Sequence, residues 1–254
     1  MEKGSYKQFS QIYDLLMDDI EYDKWTSFII ERIGDSSNIL EAACGTCNIT
    51  KHLAERGYHI TAFDLSQDML MRAYDKLGRN PGVRLLNQDM TSFKIDDKFE
   101  AAICCCDGVD YLSEAQVAAF FNRVYDHLKI NSKFIFDIST RYKYDTVLND
   151  TYVYDDGDIF YVWENIPDSE GSFVNIEVNF FISDINDVNN KNDKSEKYER
   201  ITEIQTQYIY STDEISSMLR KAGFENIEIF DDYNNDMCNE ASLRAVFTAV
   251  KALR

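Results

Sequence analysis

The run Glu41-Ala42-Ala43-Cys44-Gly45-Thr46-Cys47-Asn48 joins small residues behind an acid. Short side chains leave backbone amides uncovered, so such a turn can approach a ligand closely, as the first β-α turn of an open α/β sheet does. Asp64 follows 23 residues after Glu41. A carboxylate at the end of a second strand can accept hydrogen bonds from both hydroxyls of a ribose, and it repels a 2′-phosphate. Asn87-Gln88-Asp89-Met90 brings a third acid, and Asp89 can accept a hydrogen bond from an adenine exocyclic amine. Loop, ribose acid and adenine acid together read as a site for an adenosine-type ligand.

These residues serve that purpose only if strand ends position them. Ile39–Ala42 reads as a strand, Ile49–Arg56 as a helix stopped by Gly57, and Tyr58–Phe63 as a second strand ending at Asp64. Ser66 caps a helix over Gln67–Leu77. Val83–Asn87 and Phe99–Cys105 are further strands, followed by a helix at Glu114–Leu128 and a strand at Lys133–Ile138. Strands alternating with helices at this spacing imply parallel β-α-β units in one sheet. Two amphipathic helices precede them: Phe9, Ile12, Tyr13 and Leu16 share one face, and Trp25, Phe28, Ile29 and Ile33 share another.

The rhythm changes after Ser139. Between Tyr152 and Tyr210 apolar and polar residues alternate, as in Phe173–Ile182, which predicts an antiparallel sheet with one wetter face. Asp184–Lys197 is polar and reads as a hairpin tip or loop. The α/β pattern resumes with a capped helix at Asp213–Lys221, closed by Gly223, and strands at Ile227–Phe230 and Leu243–Val250. The division expected is a core of residues 1–140 and 211–254 with an antiparallel insertion at 141–210, serving as a substrate lid or a dimer contact.

Composition narrows the chemistry. The chain has 254 residues and a net charge of −19, which disfavours a nucleic-acid partner because phosphate backbones bind through Lys and Arg. No apolar run is long enough for a membrane helix, and the first residues lack a signal-peptide core, so a cytoplasmic protein without a membrane partner is expected. Cys44, Cys47, Cys104, Cys105, Cys106 and Cys238 should then be reduced, and they read as small apolar residues rather than as a metal site. None of His52, His59 and His127 falls on a ligand-facing strand end.

With Ile39–Thr46, Phe63–Leu70, Gln88-Asp89-Met90, Phe99–Ile103 and Lys221-Ala222-Gly223-Phe224 in this order, the chain resembles the class I S-adenosylmethionine-dependent methyltransferases. More narrowly it is similar to small-molecule members with an antiparallel insertion, such as sugar N,N-dimethyltransferases. The local matches are Phe9–Asp14, Phe136-Asp137-Ile138 and Glu203–Tyr210. The resemblance implies a Rossmann-like seven-stranded sheet of order 3-2-1-4-5-7-6. It implies that backbone at Ala43 and Gly45 meets the methionine part of the cofactor, that Asp64 holds the ribose, and that Leu65 and Met69 pack by the adenosine. Asp89 and Met90 would hold the adenine, Cys105 or Cys106 would lie near the sulfonium, and Tyr13, Tyr22 and Trp25 would close over it. The family loop is acid-x-Gly-x-Gly-Thr-Gly; here Ala43 and Cys47 stand where its first and third glycines would be.

The reaction implied is in-line methyl transfer to N or O of a small organic molecule, with S-adenosyl-L-homocysteine as product. Orientation supplies much of such a rate, and an amine acceptor must also lose a proton. Asp107, Tyr111 and Glu203 are the candidate catalytic groups. Tyr111, Arg141, Tyr142, Gln207 and Tyr210 are the candidate substrate contacts. A nicotinamide-dependent oxidoreductase would share the acid after the second strand but needs a G-x-G-x-x-G loop, which is missing. A cofactor-binding module without turnover is the remaining alternative. A monomer or a homodimer is expected.

Overall fold

The computed structural model describes residues 10, 13–14, 17, 20–155, 159–183 and 198–253. Most of the first amphipathic segment, including Phe9, Ile12 and Leu16, lies outside the described residues, as does the polar stretch 184–197. In chain order the elements are α1 (Tyr22–Ile33), β1 (Asn38–Ala42), α2 (Asn48–Glu55), β2 (His59–Asp64), α3 (Gln67–Leu77), β3 (Val83–Asn87), β4 (Phe99–Cys104), a 3-10 turn (Gly108–Tyr111), α4 (Glu114–His127), β5 (Leu128–Ser139), α5 (Arg141–Thr146), β6 (Tyr152–Asp155), β7 (Ile159–Pro167), β8 (Phe173–Ser183), β9 (Tyr198–Tyr208), α6 (Thr212–Ala222), β10 (Phe224–Asp231) and β11 (Arg244–Lys251).

One seven-stranded sheet has the order β10-β11-β5-β4-β1-β2-β3. Counting its strands along the chain gives 3-2-1-4-5-7-6, the order expected. β1 pairs in parallel with both β2 and β4, so the strand order reverses between β1 and β4. β11 runs antiparallel between β5 and β10. Both faces of the sheet are covered. On one, Phe120, Phe121 and Val117 of α4 and Ile215 and Leu219 of α6 pack on Phe134, Phe136 and Phe247. On the other, Trp25, Phe28 and Ile29 of α1 and Leu53 of α2 pack on Ile39, Ile103 and Ile135. Apolar residues on successive strand positions therefore serve opposite faces, which is why these strands read as continuous apolar runs.

The second sheet is antiparallel, in the order β6-β7-β8-β9. Val174, Ile176, Val178 and Phe180 of β8 and Ile201 of β9 gather with Tyr144 of α5 in a separate apolar cluster.

Two strand starts differ from the sequence reading by three residues or more, and one helix is new. β5 starts at Leu128, straight off α4, because Asn131 takes a left-handed backbone (φ 64°) that lets the chain enter the sheet early. β10 starts at Phe224 and absorbs a register shift between Glu225 and Glu228, with Asn226 at φ 48°. The helix α5 was not expected; Thr140 caps it by accepting a hydrogen bond from the Lys143 amide at 3.2 Å. It is only 6 residues long, too short for helical periodicity to register.

One carboxylate fixes how β1 and β4 begin. Glu100 accepts hydrogen bonds from the Ser37 amide at 2.8 Å and the Asn38 amide at 3.2 Å, and pairs with Lys129 at 2.9 Å. These contacts, Lys129 first, pull its carboxyl down to about 2. A lowered folded value stabilises above the unfolded value and is lost as pH falls through the folded one. Glu100→Gln should therefore lower stability by roughly 1 kcal/mol at pH 7, after discounting for solvent screening. In urea denaturation the difference from the parent should shrink below pH 4 and vanish near pH 2.

Candidate active site

The turn between β1 and α2 has left-handed backbone at three alternate residues: Ala43 (φ 52°), Gly45 (φ 53°) and Cys47 (φ 66°). Such angles cost an ordinary residue about 1 kcal/mol or more. They persist here because neighbours determine the turn. The Cys44 amide donates to Phe63 O at 3.1 Å, and the Cys47 amide to Cys44 O at 2.8 Å. Asp64, at the end of β2, accepts from the Gly45 amide through Oδ2 and from the Ser66 amide through Oδ1, both at 2.8 Å. Burial pushes the Asp64 carboxyl above its ordinary value, and the amides of Ser66 and Gly45 restrain the rise. Its two oxygens offer about four acceptor sites, more than the amides of Ser66, Gly45 and Leu65 occupy. Asn87, ending β3, donates to the carbonyls of Asp64 and Leu65 at 3.0 and 2.8 Å and ties β2 and β3 together.

Asp89 follows β3. Its Oδ1 accepts from the Thr91 amide and hydroxyl, both at 2.6 Å. No described residue donates to Oδ2. Leu65 is largely exposed, Met69 is buried, and Met90 lies with its sulfur 4.0 Å from Cys104 Sγ.

An N-terminal segment lies over this turn. The Tyr13 ring is 3.9 Å from where a Gly45 Cβ would stand. Asp14 accepts from Thr46 Oγ1 at 2.5 Å and from Asn48 at 3.2 Å, and pairs with Lys76 at 2.8 Å. Asn48 also donates to Tyr22 Oη at 2.9 Å. Trp25 is placed differently: it is buried against Tyr233, with ring centroids 4.1 Å apart.

On the far side of the strand reversal, β4 ends in the thiols. Cys104 and Cys105 are buried, and Cys106 and Asp107 are both left-handed (φ 60° and 51°). A Cβ on Gly108 would stand 2.8 Å from Cys104 Sγ and 3.0 Å from Ala43 Cβ, so only glycine lets this turn meet the β1 turn. The turn carries a charge network. Arg244 Nη1 donates to Asp107 Oδ1 at 3.0 Å and also to Asp137 Oδ2. Asp137, fully buried on β5, accepts from Tyr233 Oη at 2.8 Å and from the Asp107 amide at 3.1 Å. Burial opposes ionisation of Asp107, but Arg244 and then Lys143 overcome it and hold its carboxyl below the ordinary value. Burial and the Asp107 charge push the neighbouring Asp110 well above its ordinary value. Asp110 accepts from the Ser139 amide at 2.9 Å through Oδ2, while its buried Oδ1 has no hydrogen-bond partner among the described residues.

The second sheet reaches this turn. Gln207 Nε2 donates to Asp107 Oδ2 at 3.2 Å, and Tyr144 Oη donates to Gln207 Oε1 at 2.8 Å. Tyr111 Oη donates to Gln205 at 2.9 Å, and Tyr210 Oη to Leu112 O at 2.6 Å. Glu203 is buried on β9. Asp107, Tyr111, Gln207 and Tyr210 thus meet at the seam between the sheets. Arg141 instead donates to Gly171 O in the β7–β8 turn, and Tyr142 is exposed. Sequence reasoning missed Arg244, Tyr233 and the role of Asp137. One signal existed: Asp137 interrupts the apolar run begun by Phe134-Ile135-Phe136, and a charge inside a buried strand requires a partner.

The three histidines stand apart. His52 Nδ1 lies 3.1 Å from Asp23, and His59 is exposed. His127 Nε2 accepts from the Ile95 amide at 3.2 Å, which leaves Nδ1 to donate to Arg123 O at 2.7 Å. Among the described residues there is no group of three or more His, Cys, Asp or Glu side chains that could hold a metal ion, and no helix is long and apolar enough to cross a membrane.

Two substitutions test the turn. Ala43→Gly removes left-handed strain at a half-buried position and should raise stability by about 0.5–1 kcal/mol in denaturant unfolding. Glu41, at the end of β1, is buried; burial lifts its carboxyl to about 7, against the Thr50 hydroxyl that donates to it at 2.6 Å. A raised folded value stabilises below the unfolded one and is lost as pH rises through the folded value. Glu41→Gln should abolish that loss, so its melting temperature, relative to the parent's, should climb from pH 5 to pH 9 by the equivalent of roughly 3 kcal/mol.

Residues 39–131 match a family model described as a methyltransferase domain. The chain is 31% identical over 250 residues to YqeM of Bacillus subtilis (strain 168), named as a methyltransferase, covering 97% of each chain. A crystal structure of an S-adenosylmethionine-dependent methyltransferase from Clostridium acetobutylicum ATCC 824 superimposes with a TM-score of 0.83, at 32% identity, over 98% of this chain and 99% of that one. A shorter stretch of 85 residues, 34% of this chain and 35% of the relative, is 31% identical to dTDP-3-amino-3,4,6-trideoxy-alpha-D-glucopyranose N,N-dimethyltransferase of Streptomyces venezuelae. With a sheet of this order, Asp64 ending β2 and Asp89 just after β3, this chain belongs to the S-adenosylmethionine-dependent methyltransferases.

Proposed function

We propose that the enzyme methylates an amine of a small organic molecule, with Asp107 beside the acceptor nitrogen. The observation that carries this reading is the Asp107 carboxylate, held ionised by Arg244 next to the β1 turn. When bound, S-adenosyl-L-methionine supplies a methyl group on a sulfonium that departs as the thioether S-adenosyl-L-homocysteine. Asp64 would hold the ribose hydroxyls, with Gly45 and Ser66 fixing its carboxylate, and Asp89 would hold the adenine amine. Backbone at Ala43 and Gly45 lies along the methionine portion. Cys105 and Cys106, with Tyr13 and Tyr22, close the reacting end.

Methylation of an amine would place positive charge on the acceptor nitrogen as the sulfonium loses its own. A fixed carboxylate beside that nitrogen favours the change, because a dipole or charge already in place needs no reorganisation. An alcohol would have to lose its proton to a stronger base, and His52 and His127 are committed elsewhere. The match to a sugar N,N-dimethyltransferase over part of the chain supports the same acceptor atom. Residues 141–210 act as a cover, with Tyr111, Gln207 and Tyr210 facing the acceptor and Glu203 behind them. The in-line geometry this enforces excludes water and fixes orientation, worth roughly 7–11 kcal/mol in well-aligned systems.

A panel of small amines and their hydroxyl counterparts, assayed for release of S-adenosyl-L-homocysteine, tests the reading. Turnover should appear with amines, and turnover confined to the hydroxyl compounds would overturn it. Asp107→Asn should lower kcat/KM by about 10²-fold without changing affinity for S-adenosyl-L-homocysteine. Asp64→Ala should weaken that affinity by about 1–3 kcal/mol in calorimetry.

A further inference from the structure

Arg244 is the cation at the centre of the site, and it lies on the far side of the fold's connectivity from the residues it serves. It opens β11, the strand beside β5, and the Asp107 turn ends β4. Its Nη1 bridges the carboxylates of Asp107 and Asp137. Its guanidinium carbon lies 4.9 Å from the Trp25 ring centroid, so an aromatic face from α1 sets its height. Its Nε is 3.8 Å from Asp232.

The two carboxylates differ in what they could do. Asp137 has no exposed surface and already accepts from Tyr233 Oη and the Asp107 amide. The side chain of Asp107 keeps 20% of its surface open and also accepts from Gln207 of the second sheet. Its backbone is left-handed, as is that of Cys106, a conformation that surrounding contacts must impose. Asp137 imposes it by capturing the amide, and Arg244 then captures the carboxylate of the same residue. The backbone and the side chain of Asp107 are therefore both pinned through one buried pair.

We propose that Arg244 is a positioning residue for methyl transfer: through its bridge to Asp137 it fixes the direction and the charge of Asp107. This rests on the assignment of Asp107 to the acceptor side of the site. The groups that act on Asp107 come from several elements. Arg244 and Lys143 of α5 favour its charge, and Asp137 of β5 and Asp110 of its own turn oppose it. Cys106, Tyr144 and Tyr13 also interact with its charge. Gln207 contributes a neutral donor.

The test needs no methyl acceptor. Sinefungin resembles S-adenosyl-L-homocysteine but carries a cationic amine at the reacting end. The ratio of the two affinities reports negative charge at that end. In the parent enzyme the ratio should favour sinefungin evenly from pH 5.5 to pH 9. Arg244→Met should let Asp107 take up a proton at the acid end, so the preference should fall about tenfold at pH 5.5 and return at pH 9. Arg244→Lys should keep the preference across the range. The double variant Arg244→Gln/Asp137→Asn, which spares the fully buried Asp137 an unpaired charge, should follow Arg244→Met and serves where the single variant does not fold. Equal losses of both ligands at every pH, or a ratio that ignores Arg244→Met and the double variant, would overturn the assignment. A failure to find amine turnover would overturn the proposed acceptor and leave this ratio unaffected.

Discussion

The site depends on one steric constraint. β1 and β4 lie side by side at the reversal of strand order, and their exits must share the same space. Gly108 makes that possible: with any side chain it would collide with Cys104 Sγ and Ala43 Cβ. The two turns therefore meet closely, one of them carrying Gly45 and the other Asp107. Both turns bend through left-handed residues, Ala43, Gly45 and Cys47 on one side, Cys106 and Asp107 on the other. Of these five only Gly45 is a glycine, so the strain is stored in the site and held there by Asp64 on one side and Asp137 on the other.

The frame was largely legible in the sequence because strand and helix periods, caps and turn residues agreed. Ser66 before Gln67–Leu77 and Ser211 before the Thr212–Ala222 helix both cap by accepting an amide, as their types suggest. The acids of the cofactor loop were visible for the same reason: they end strands. What was hidden depends on contacts between distant parts of the chain. Arg244 is an ordinary charge at a strand's start until the antiparallel insertion of β11 beside β5 sets it over Asp137. Trp25 was expected over the cofactor and Tyr233 carried no expectation; the stacking of Trp25 on Tyr233 and beneath the guanidinium follows only from the packing of α1 on the sheet. α5 was hidden because so short a helix has no period to detect.

Charge is distributed unevenly between surface and site. The chain carries −19 overall, yet the buried acids at the end of β4 and on β5 gather around a guanidinium. Around it, burial splits otherwise similar carboxyls. Asp107 stays ionised beside Arg244, while Asp110, in the same turn and without a cation of its own in hydrogen-bond contact, is driven toward its neutral form. Two acids three residues apart are thereby pushed in opposite directions by the same buried surroundings. The thiols nearby are raised by burial as well, which makes them packing groups rather than nucleophiles.

The charge network also has a temporal side. Asp107 and Arg244 are 137 residues apart in sequence, Asp107 and Gln207 are 100 apart, and Asp137 and Tyr233 are 96 apart. Contacts of such long range require the intervening chain to be ordered before they reward its loop-closure entropy. The cofactor turn, by contrast, joins Gly45 and Asp64 across 19 residues. During folding the β1 and β2 turns can form from local β-α-β contacts, while the Asp107 network waits for the last strand. A chain arrested before β11 docks would hold the ligand-binding frame without the charge that completes it.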